Sequence, residues 1–137
     1  MRRAALLLLA ILLASAEPAT QGRARNIVLF IADAGGIPTL NAASAHGHGG
    51  PRKLFVQQMP YIGLSDTSAA EQRVTDSAAG MTAIATGQRT HNGVIAQSAA
   101  AVRGQRDGEP LKTILEYAEE RGLATGIVTD DSLAGAT

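Results

Sequence analysis

The chain runs Asn26-Ile27-Val28-Leu29-Phe30-Ile31-Ala32 and then becomes polar at Asp33. This continuous, β-prone apolar segment is typical of a strand buried on both faces, as in a parallel sheet covered by helices. Such sheets bind their ligands outside the carboxyl ends of the strands. Asp33 is therefore a candidate metal ligand, although an Asp at this place also serves as a helix cap or a turn residue.

The rest of the chain alternates predicted helices and strands. The predicted helices cover residues 38–44, 77–86 and 111–121, and Gly87 and Gly122 end the last two. The predicted strands cover residues 61–65, 93–95 and 124–129, and loops are expected over 45–53, 66–73 and 96–108. Helix–glycine–strand units of this kind predict an α/β fold with a parallel sheet. So small an open sheet leaves unpaired edges, so we expect this to be the N-terminal piece of a longer domain.

The overall composition excludes several classes of protein. The chain has 137 residues, and 12 Lys and Arg balance 12 Asp and Glu. We expect no nucleic-acid partner, because proteins that bind nucleic acids through bulk charge carry a basic excess. The absence of Cys excludes disulfides, thiolate metal sites and a Cys nucleophile.

The first residues have the pattern of an export signal. Met1-Arg2-Arg3 is basic, residues 4–13 are apolar throughout, and Ala14-Ser15-Ala16 offers small residues to a signal peptidase. This pattern predicts a signal peptide over 1–16, a polar leader over 17–25 and a protein exported to the periplasm or secreted. The apolar run is well short of the ~20 residues that span a bilayer, so we expect no stable membrane span.

The strongest candidate nucleophile lies at the start of the predicted helix over 77–86. Val74-Thr75-Asp76-Ser77-Ala78-Ala79-Gly80 places Ser77 where free N–H groups and the helix dipole favour an anion. The alternative is that Asp76 or Ser77 only caps the helix. The absence of a Gly-x-Ser-x-Gly elbow disfavours a serine esterase, and the absence of a Gly-x-x-x-x-Gly-Lys-Ser/Thr loop excludes a P-loop nucleotidase.

Several blocks, in order, resemble the alkaline phosphatase family. The blocks are Asn26-Ile27-Val28-Leu29-Phe30-Ile31-Ala32-Asp33, Val74-Thr75-Asp76-Ser77-Ala78-Ala79-Gly80-Met81-Thr82-Ala83-Ile84-Ala85-Thr86-Gly87, Asn92-Gly93-Val94-Ile95, Thr113-Ile114-Leu115-Glu116 and Gly122-Leu123-Ala124-Thr125-Gly126-Ile127-Val128-Thr129. The resemblance covers 26–137, as the N-terminal part of the catalytic domain. It implies a parallel sheet sandwiched between helices, and a homodimer when the protein is complete.

The resemblance also implies an activity and the residues that carry it. The family hydrolyses phosphate monoesters through a phosphoserine, which would form on Ser77, with two zinc ions and one magnesium ion. Asp33 would be shared between one zinc and the magnesium, Ser77 would coordinate zinc when free, and Thr137 would ligate the magnesium. Asp76 would position the phosphate-binding arginine.

The chain departs from the family pattern at three positions. Ala34 follows Asp33 where the family has Gly, and its Cβ is expected to strain the turn. Met81 replaces a small residue, and Gly135 stands where many members carry Asp or His near the magnesium.

Other interpretations stay open. The family's remaining zinc ligands, its magnesium glutamate and its arginine would lie beyond Thr137, so one alternative is a truncated, catalytically inactive exported fragment. Another is a related phosphodiesterase or sulfatase-like hydrolase, against which the Asp76-Ser77-Ala78 signature argues. Weaker candidate site residues are a histidine pair, a possible base and two loop carboxylates: His46, His48, His91, Asp130 and Asp131.

Overall fold

The computed structural model describes residues 24–137. The predicted signal peptide over 1–16 and most of the predicted leader over 17–25 lie outside the described residues. Contacts divide the chain into two units, Met1–Ile31 and Ala32–Thr137. In the first unit, residues 24–31 are extended and exposed, with Ile27 at 90% and Phe30 at 91% of full exposure.

The second unit contains three α-helices and a short 3₁₀ helix. They are α1 (Ile37–His48), the 3₁₀ turn (Phe55–Gln58), α2 (Ser77–Thr86) and α3 (Ile114–Glu119). The predicted bounds of α2 are confirmed, and Gly87 ends the helix in the left-handed conformation at φ 72°. Helix α3 is shorter than expected, because Thr113 and Glu116 form a reciprocal capping box that starts it after Leu111.

Helix α1 continues four residues beyond the predicted 38–44, so the expectation of a loop from residue 45 was wrong. Pro38 occupies its first turn, where a missing N–H costs nothing, and Gly49 ends it at φ 68°. The buried Ser44 hydroxyl donates to the Gly50 carbonyl at 2.7 Å and accepts the Lys53 N–H at 2.7 Å. These contacts fold the following loop back onto the last turns of the helix.

The predicted strands do not form within residues 24–137. The segments 26–32, 61–65, 93–95 and 124–129 contain no strand, and the only pairings in that range are isolated antiparallel bridges, Gln97 with Pro110 and Val102 with Arg106. A strand must give its N–H and C=O groups to a neighbouring strand, and none of these segments pairs with another. The expected sandwich of a parallel sheet between helices is therefore not formed by the described residues.

The small core of the second unit lies around α2. Its buried apolar residues are Ala69, Ala78, Ala79, Ala83, Val94, Ala101 and Leu111. Most of them are alanines, whose small side chains allow irregular chain to approach the helix closely, and α2 also contacts α3. The loop expected over 96–108 is irregular as predicted, but it contributes the buried Ala101 to this core.

Within residues 24–137, every helix is too short or too polar to cross a bilayer.

Candidate active site

Ser77 is the first residue of α2 and its side chain is exposed. Asp76 precedes it with extended backbone and caps the helix, because its Oδ1 accepts the Ala79 N–H at 2.9 Å. The capping interpretation of Asp76 is thereby confirmed. The N–H groups of Ser77 and Ala78 have no acceptor among the described residues, and both point out of the start of the helix.

The loop that contains Asn92 and Gly93 also contacts Asp76. The Gly93 N–H donates to Asp76 Oδ2 at 2.6 Å, and the Asp76 N–H donates to Asn92 Oδ1 at 2.9 Å. Asn92 Nδ2 in turn donates to the Val74 carbonyl at 3.2 Å. Both carboxylate oxygens of Asp76 and its backbone N–H are thus used to fix the chain just before Ser77.

Two glycines allow this close packing. Gly93 has φ 75°, and a Cβ there would lie 2.8 Å from Arg103 Cδ. A Cβ on Gly80 would lie 3.3 Å from both Thr75 Cγ2 and Thr75 Oγ1. Thr75 therefore packs closely against the first turn of α2, where a side chain at position 80 would push it away by a few tenths of an ångström.

The loop that carries Asn92 is itself tied to residues 66–71. Arg89 Nε donates to the Ser68 carbonyl at 2.9 Å, and the Ala70 N–H donates to the Thr90 carbonyl at 2.8 Å. The Asn92 N–H donates to Glu71 Oε1 at 3.0 Å. That hydrogen bond lowers the pKa of Glu71 below its ordinary value, with a smaller contribution from nearby His91.

Asp66 also takes part in the contacts between residues 66–71 and the loop that carries Asn92. The Ser68 hydroxyl and then the Ser68 N–H donate to Asp66 Oδ1, at 2.6 and 3.0 Å, and they hold the pKa of Asp66 below its ordinary value. Arg89 Nη1 lies 4.0 Å from Asp66 Oδ2 and adds to that shift. The two loops are therefore joined by charge as well as by hydrogen bonds.

Sequence reasoning did not single out the residues that hold the two loops together. Glu71 and Arg89 stand in polar segments without a distinctive pattern, so no local signal identifies them. Asn92-Gly93 is a turn dipeptide, which was the available signal for a tight loop. A turn signal does not say which distant segment the Asn side chain will contact.

Asp33 lies apart from this network in a β-turn. The Gly35 N–H donates to the Ala32 carbonyl at 3.0 Å, and Ala34, the third residue of the turn, has φ 52°. The expectation that Ala34 strains the turn is confirmed, because a Cβ in the left-handed region crowds the following carbonyl. Asp33 and Thr137 are both exposed, and no hydrogen bond or ion pair in 24–137 joins either of them to Ser77.

The weaker candidates do not assemble into a site either. His46 and His48 lie in the last turn of α1, and His91 Nδ1 lies 3.9 Å from Glu71 Oε2 without a hydrogen bond to Ser77. Asp130 and Asp131 lie in an exposed bend. Across the described part of the chain, no three His, Cys, Asp or Glu side chains are close enough together to hold a metal ion.

Comparison with known proteins identifies the family. The family model for alkaline phosphatase matches residues 24–137. The chain belongs to the alkaline phosphatase family. Alkaline phosphatase 4 of Drosophila melanogaster is 34% identical over 130 residues, which cover 88% of this chain and 22% of that protein. Streptomycin-6-phosphate phosphatase of Streptomyces griseus is 40% identical over 119 residues, which cover 83% of this chain and 25% of that protein.

The alkaline phosphatase of Gadus morhua is 33% identical over 132 residues, which cover 90% of this chain and 28% of that protein. The chain thus spans about a quarter of the length of the curated relatives that it matches. No solved structure matches it.

Alkaline phosphatases are metal-dependent, so the residues present were compared with the metals that the family implies. Asp33, Ser77 and Thr137 offer one carboxylate and two hydroxyls, and within residues 24–137 no three His, Cys, Asp or Glu side chains form a group that could hold a metal ion. A zinc site takes about four ligands and a magnesium site about six, largely from Asp, Glu and His or from water. These residues do not by themselves fit the two-zinc, one-magnesium set.

Proposed function

We propose that this chain carries the nucleophile of an alkaline phosphatase that hydrolyses phosphate monoesters through a phosphoserine at Ser77. The supporting observation is that Ser77 stands exposed as the first residue of a capped helix, in a chain of this family. The Streptomyces griseus relative, as its name streptomycin-6-phosphate phosphatase says, acts on a phosphate ester. The substrate class proposed here is therefore a phosphate monoester.

In the proposed reaction, a bond forms between Ser77 Oγ and the phosphorus atom while the bond from phosphorus to the ester oxygen breaks. The Ser77 hydroxyl loses one proton in this step, and the leaving alcohol takes up one proton. Water then attacks the same phosphorus and loses a proton, the phosphorus–Oγ bond breaks, and inorganic phosphate leaves as Ser77 Oγ takes up a proton and the hydroxyl is regenerated. The free N–H groups of Ser77 and Ala78, at the positive end of α2, are suited to hold phosphoryl oxygens during both steps.

The metal and localisation assignments are part of the proposal. Asp33 is assigned as a carboxylate ligand shared by one zinc and the magnesium, and Thr137 as a magnesium ligand, each completed by ligands from outside residues 24–137. Asp76 is assigned a role in positioning an arginine that binds phosphate. The protein is proposed to be exported and to act as a homodimer.

A second candidate is that the 137-residue chain alone is inactive. The observation that favours it is that no three His, Cys, Asp or Glu side chains among residues 24–137 are close enough together to hold a metal ion. Hydrolysis by the chain alone, with added zinc and magnesium, would contradict this candidate.

The test compares Ser77→Ala with Ser65→Ala in a protein of full family length that contains this sequence. Ser65 is exposed and its hydroxyl makes no hydrogen bond within the described range, so it is a matched control. We expect Ser77→Ala to lower hydrolysis of p-nitrophenyl phosphate by roughly 10⁴-fold or more and to abolish the acid-trapped phosphoserine, as loss of a serine nucleophile does elsewhere. Activity that survives Ser77→Ala would show that Ser77 is not the nucleophile.

A further inference from the structure

We propose that Asn92 is a positioning residue for the Ser77 nucleophile. It acts by fixing the backbone on both sides of Thr75, directly before Asp76, and it does not touch the substrate. This inference rests on the proposed function, because Asn92 can position a nucleophile only if Ser77 is the nucleophile.

The geometry that carries it is a two-sided contact by one amide. Asn92 Oδ1 accepts the Asp76 N–H at 2.9 Å while Asn92 Nδ2 donates to the Val74 carbonyl at 3.2 Å. The amide therefore spans Thr75 and links the irregular segment before α2 to the residue that caps the helix. Ser77 follows Asp76 directly, so the direction in which its Cα–Cβ bond leaves the chain depends on this short segment.

An asparagine suits this position for a chemical reason. Its side chain carries a donor and an acceptor on the same planar group, so it satisfies an N–H and a C=O at once. An aspartate keeps the acceptor but loses the donor to Val74, and an alanine loses both.

Asn92 is held in place by contacts that do not involve Ser77. Its own N–H is bound by Glu71 Oε1 at 3.0 Å, and the next residue, Gly93, donates to Asp76 Oδ2 at 2.6 Å. Arg89 fixes the start of the same loop through the Ser68 carbonyl at 2.9 Å. The amide is thus presented from a loop anchored on both sides, which is what a positioning group requires.

The consequence for the reaction is geometric. A nucleophile must approach the phosphorus in line and within about 3–3.5 Å, and a displacement of about 1 Å costs up to about 100-fold in rate. Because Asn92 is half-exposed, water replaces part of its hydrogen bonding when it is removed, so stability changes little. Rate is therefore expected to respond more than stability.

The experiment compares Asn92→Ala with Asn41→Ala in the full-length protein. Asn41, on α1, accepts one hydrogen bond from Gln57 Nε2 at 3.0 Å and is exposed, so it controls for loss of an amide contact away from Ser77. The readouts are the melting temperature, kcat and KM with p-nitrophenyl phosphate, and the single-turnover rate of phosphoserine formation. Asn92→Asp replaces Asn92→Ala if the alanine variant does not fold.

We expect the Asn92 variant to form phosphoserine about tenfold more slowly than the Asn41 variant, with KM and melting temperature close to those of the control. A rate no lower than that of Asn41→Ala, or a loss that follows a fall in melting temperature, overturns the positioning role. Ser77→Ala in the same assay separates the two hypotheses. If it remains active, the proposed function fails, whereas an inactive Ser77→Ala beside an unimpaired Asn92 variant refutes only the role of Asn92.

Discussion

The segments 66–111 and 123–137 both belong to the second unit, but they differ sharply in how their residues are used. The first is built around α2, where buried alanines and a network of loop hydrogen bonds hold irregular chain against the helix. The second is more apolar in places, yet Ile127 is 67%, Val128 100% and Leu133 77% exposed. The two segments therefore do not differ because one of them is more apolar: segment 123–137 contains large apolar residues and leaves them exposed.

The difference lies in where the backbone finds its partners. A helix satisfies its N–H and C=O groups within one segment, so α2 forms once its ends are capped by Asp76 and Gly87. A strand depends on another strand, and residues 124–129 pair with none among residues 24–137. Local signals are therefore enough to form helix α2, whereas the predicted strand over 124–129 also needs a partner strand.

Thr82→Val tests whether side-chain hydrogen bonds hold the irregular chain to α2, and we expect it to have the largest effect. Thr82 is 3% exposed, and its hydroxyl accepts the Ala96 N–H at 2.9 Å. Valine has the same shape without the hydroxyl, so the Ala96 N–H loses its partner at a cost of about 1–3 kcal/mol in the free energy of unfolding. The urea midpoint measures this loss.

Thr39→Val is the matched control for that measurement. The Thr39 hydroxyl donates to the Ala34 carbonyl at 3.2 Å from an exposed position, so its loss is expected to change stability by no more than about 0.5 kcal/mol. Equal effects of the two substitutions would mean that the contact between Thr82 and Ala96 does not hold the region together.

Ala34→Gly probes the strained turn after Asp33 and is expected to stabilise the protein. Ala34 has φ 52°, where glycine avoids a cost of roughly 1–2 kcal/mol, and part of that gain is offset by the greater freedom of glycine in the unfolded chain. We expect a net gain of about 0.5–1 kcal/mol, measured as a rise in the urea midpoint. Ala43→Gly, in the middle of α1, should have the opposite sign, at a cost of about 1 kcal/mol. A loss of stability in both variants would mean that the turn is not strained.

Sequence reasoning succeeded where the determining contacts are local. The bounds of α2 followed from Asp76, the alanine-rich segment and Gly87, and the strain at Ala34 followed from a Cβ at a glycine position. Placing Ser77 at the exposed start of a helix depended on the same short-range signals.

It failed where the outcome depends on distant partners. The period and composition of 26–32 and 124–129 are those of buried strands, but pairing and burial are supplied by other segments and are not encoded in the strand itself. The contacts of Asn92 with Asp76 and Val74 join residues 16 and 18 positions apart, which no motif specifies. That Asp33, Ser77 and Thr137 lie close together stays a prediction, and it too depends on contacts between segments that are distant in the sequence.

Acidification tests the hydrogen bond between Glu71 and the Asn92 N–H, and we expect it to have the smallest of these effects on stability. The pKa of Glu71 is lowered, first by the Asn92 N–H, so the folded state binds fewer protons at this group than the unfolded chain does. Its contribution to stability is therefore complete above the ordinary pKa of about 4.3 and is lost as the pH falls through the lower folded value. Because the carboxylate is exposed to solvent, the effect should be small.

The measurement is the urea midpoint between about pH 7 and about pH 3, compared for the wild type, Glu71→Gln and Glu109→Gln. Glutamine at position 71 keeps an acceptor for the Asn92 N–H but cannot titrate, so its midpoint should fall less on acidification. Glu109→Gln, at a carboxylate that accepts no hydrogen bond in the described range, is the control for the loss of one surface charge. If Glu71→Gln follows the wild type at every pH, the negative charge of Glu71 does not strengthen its hydrogen bond with the Asn92 N–H.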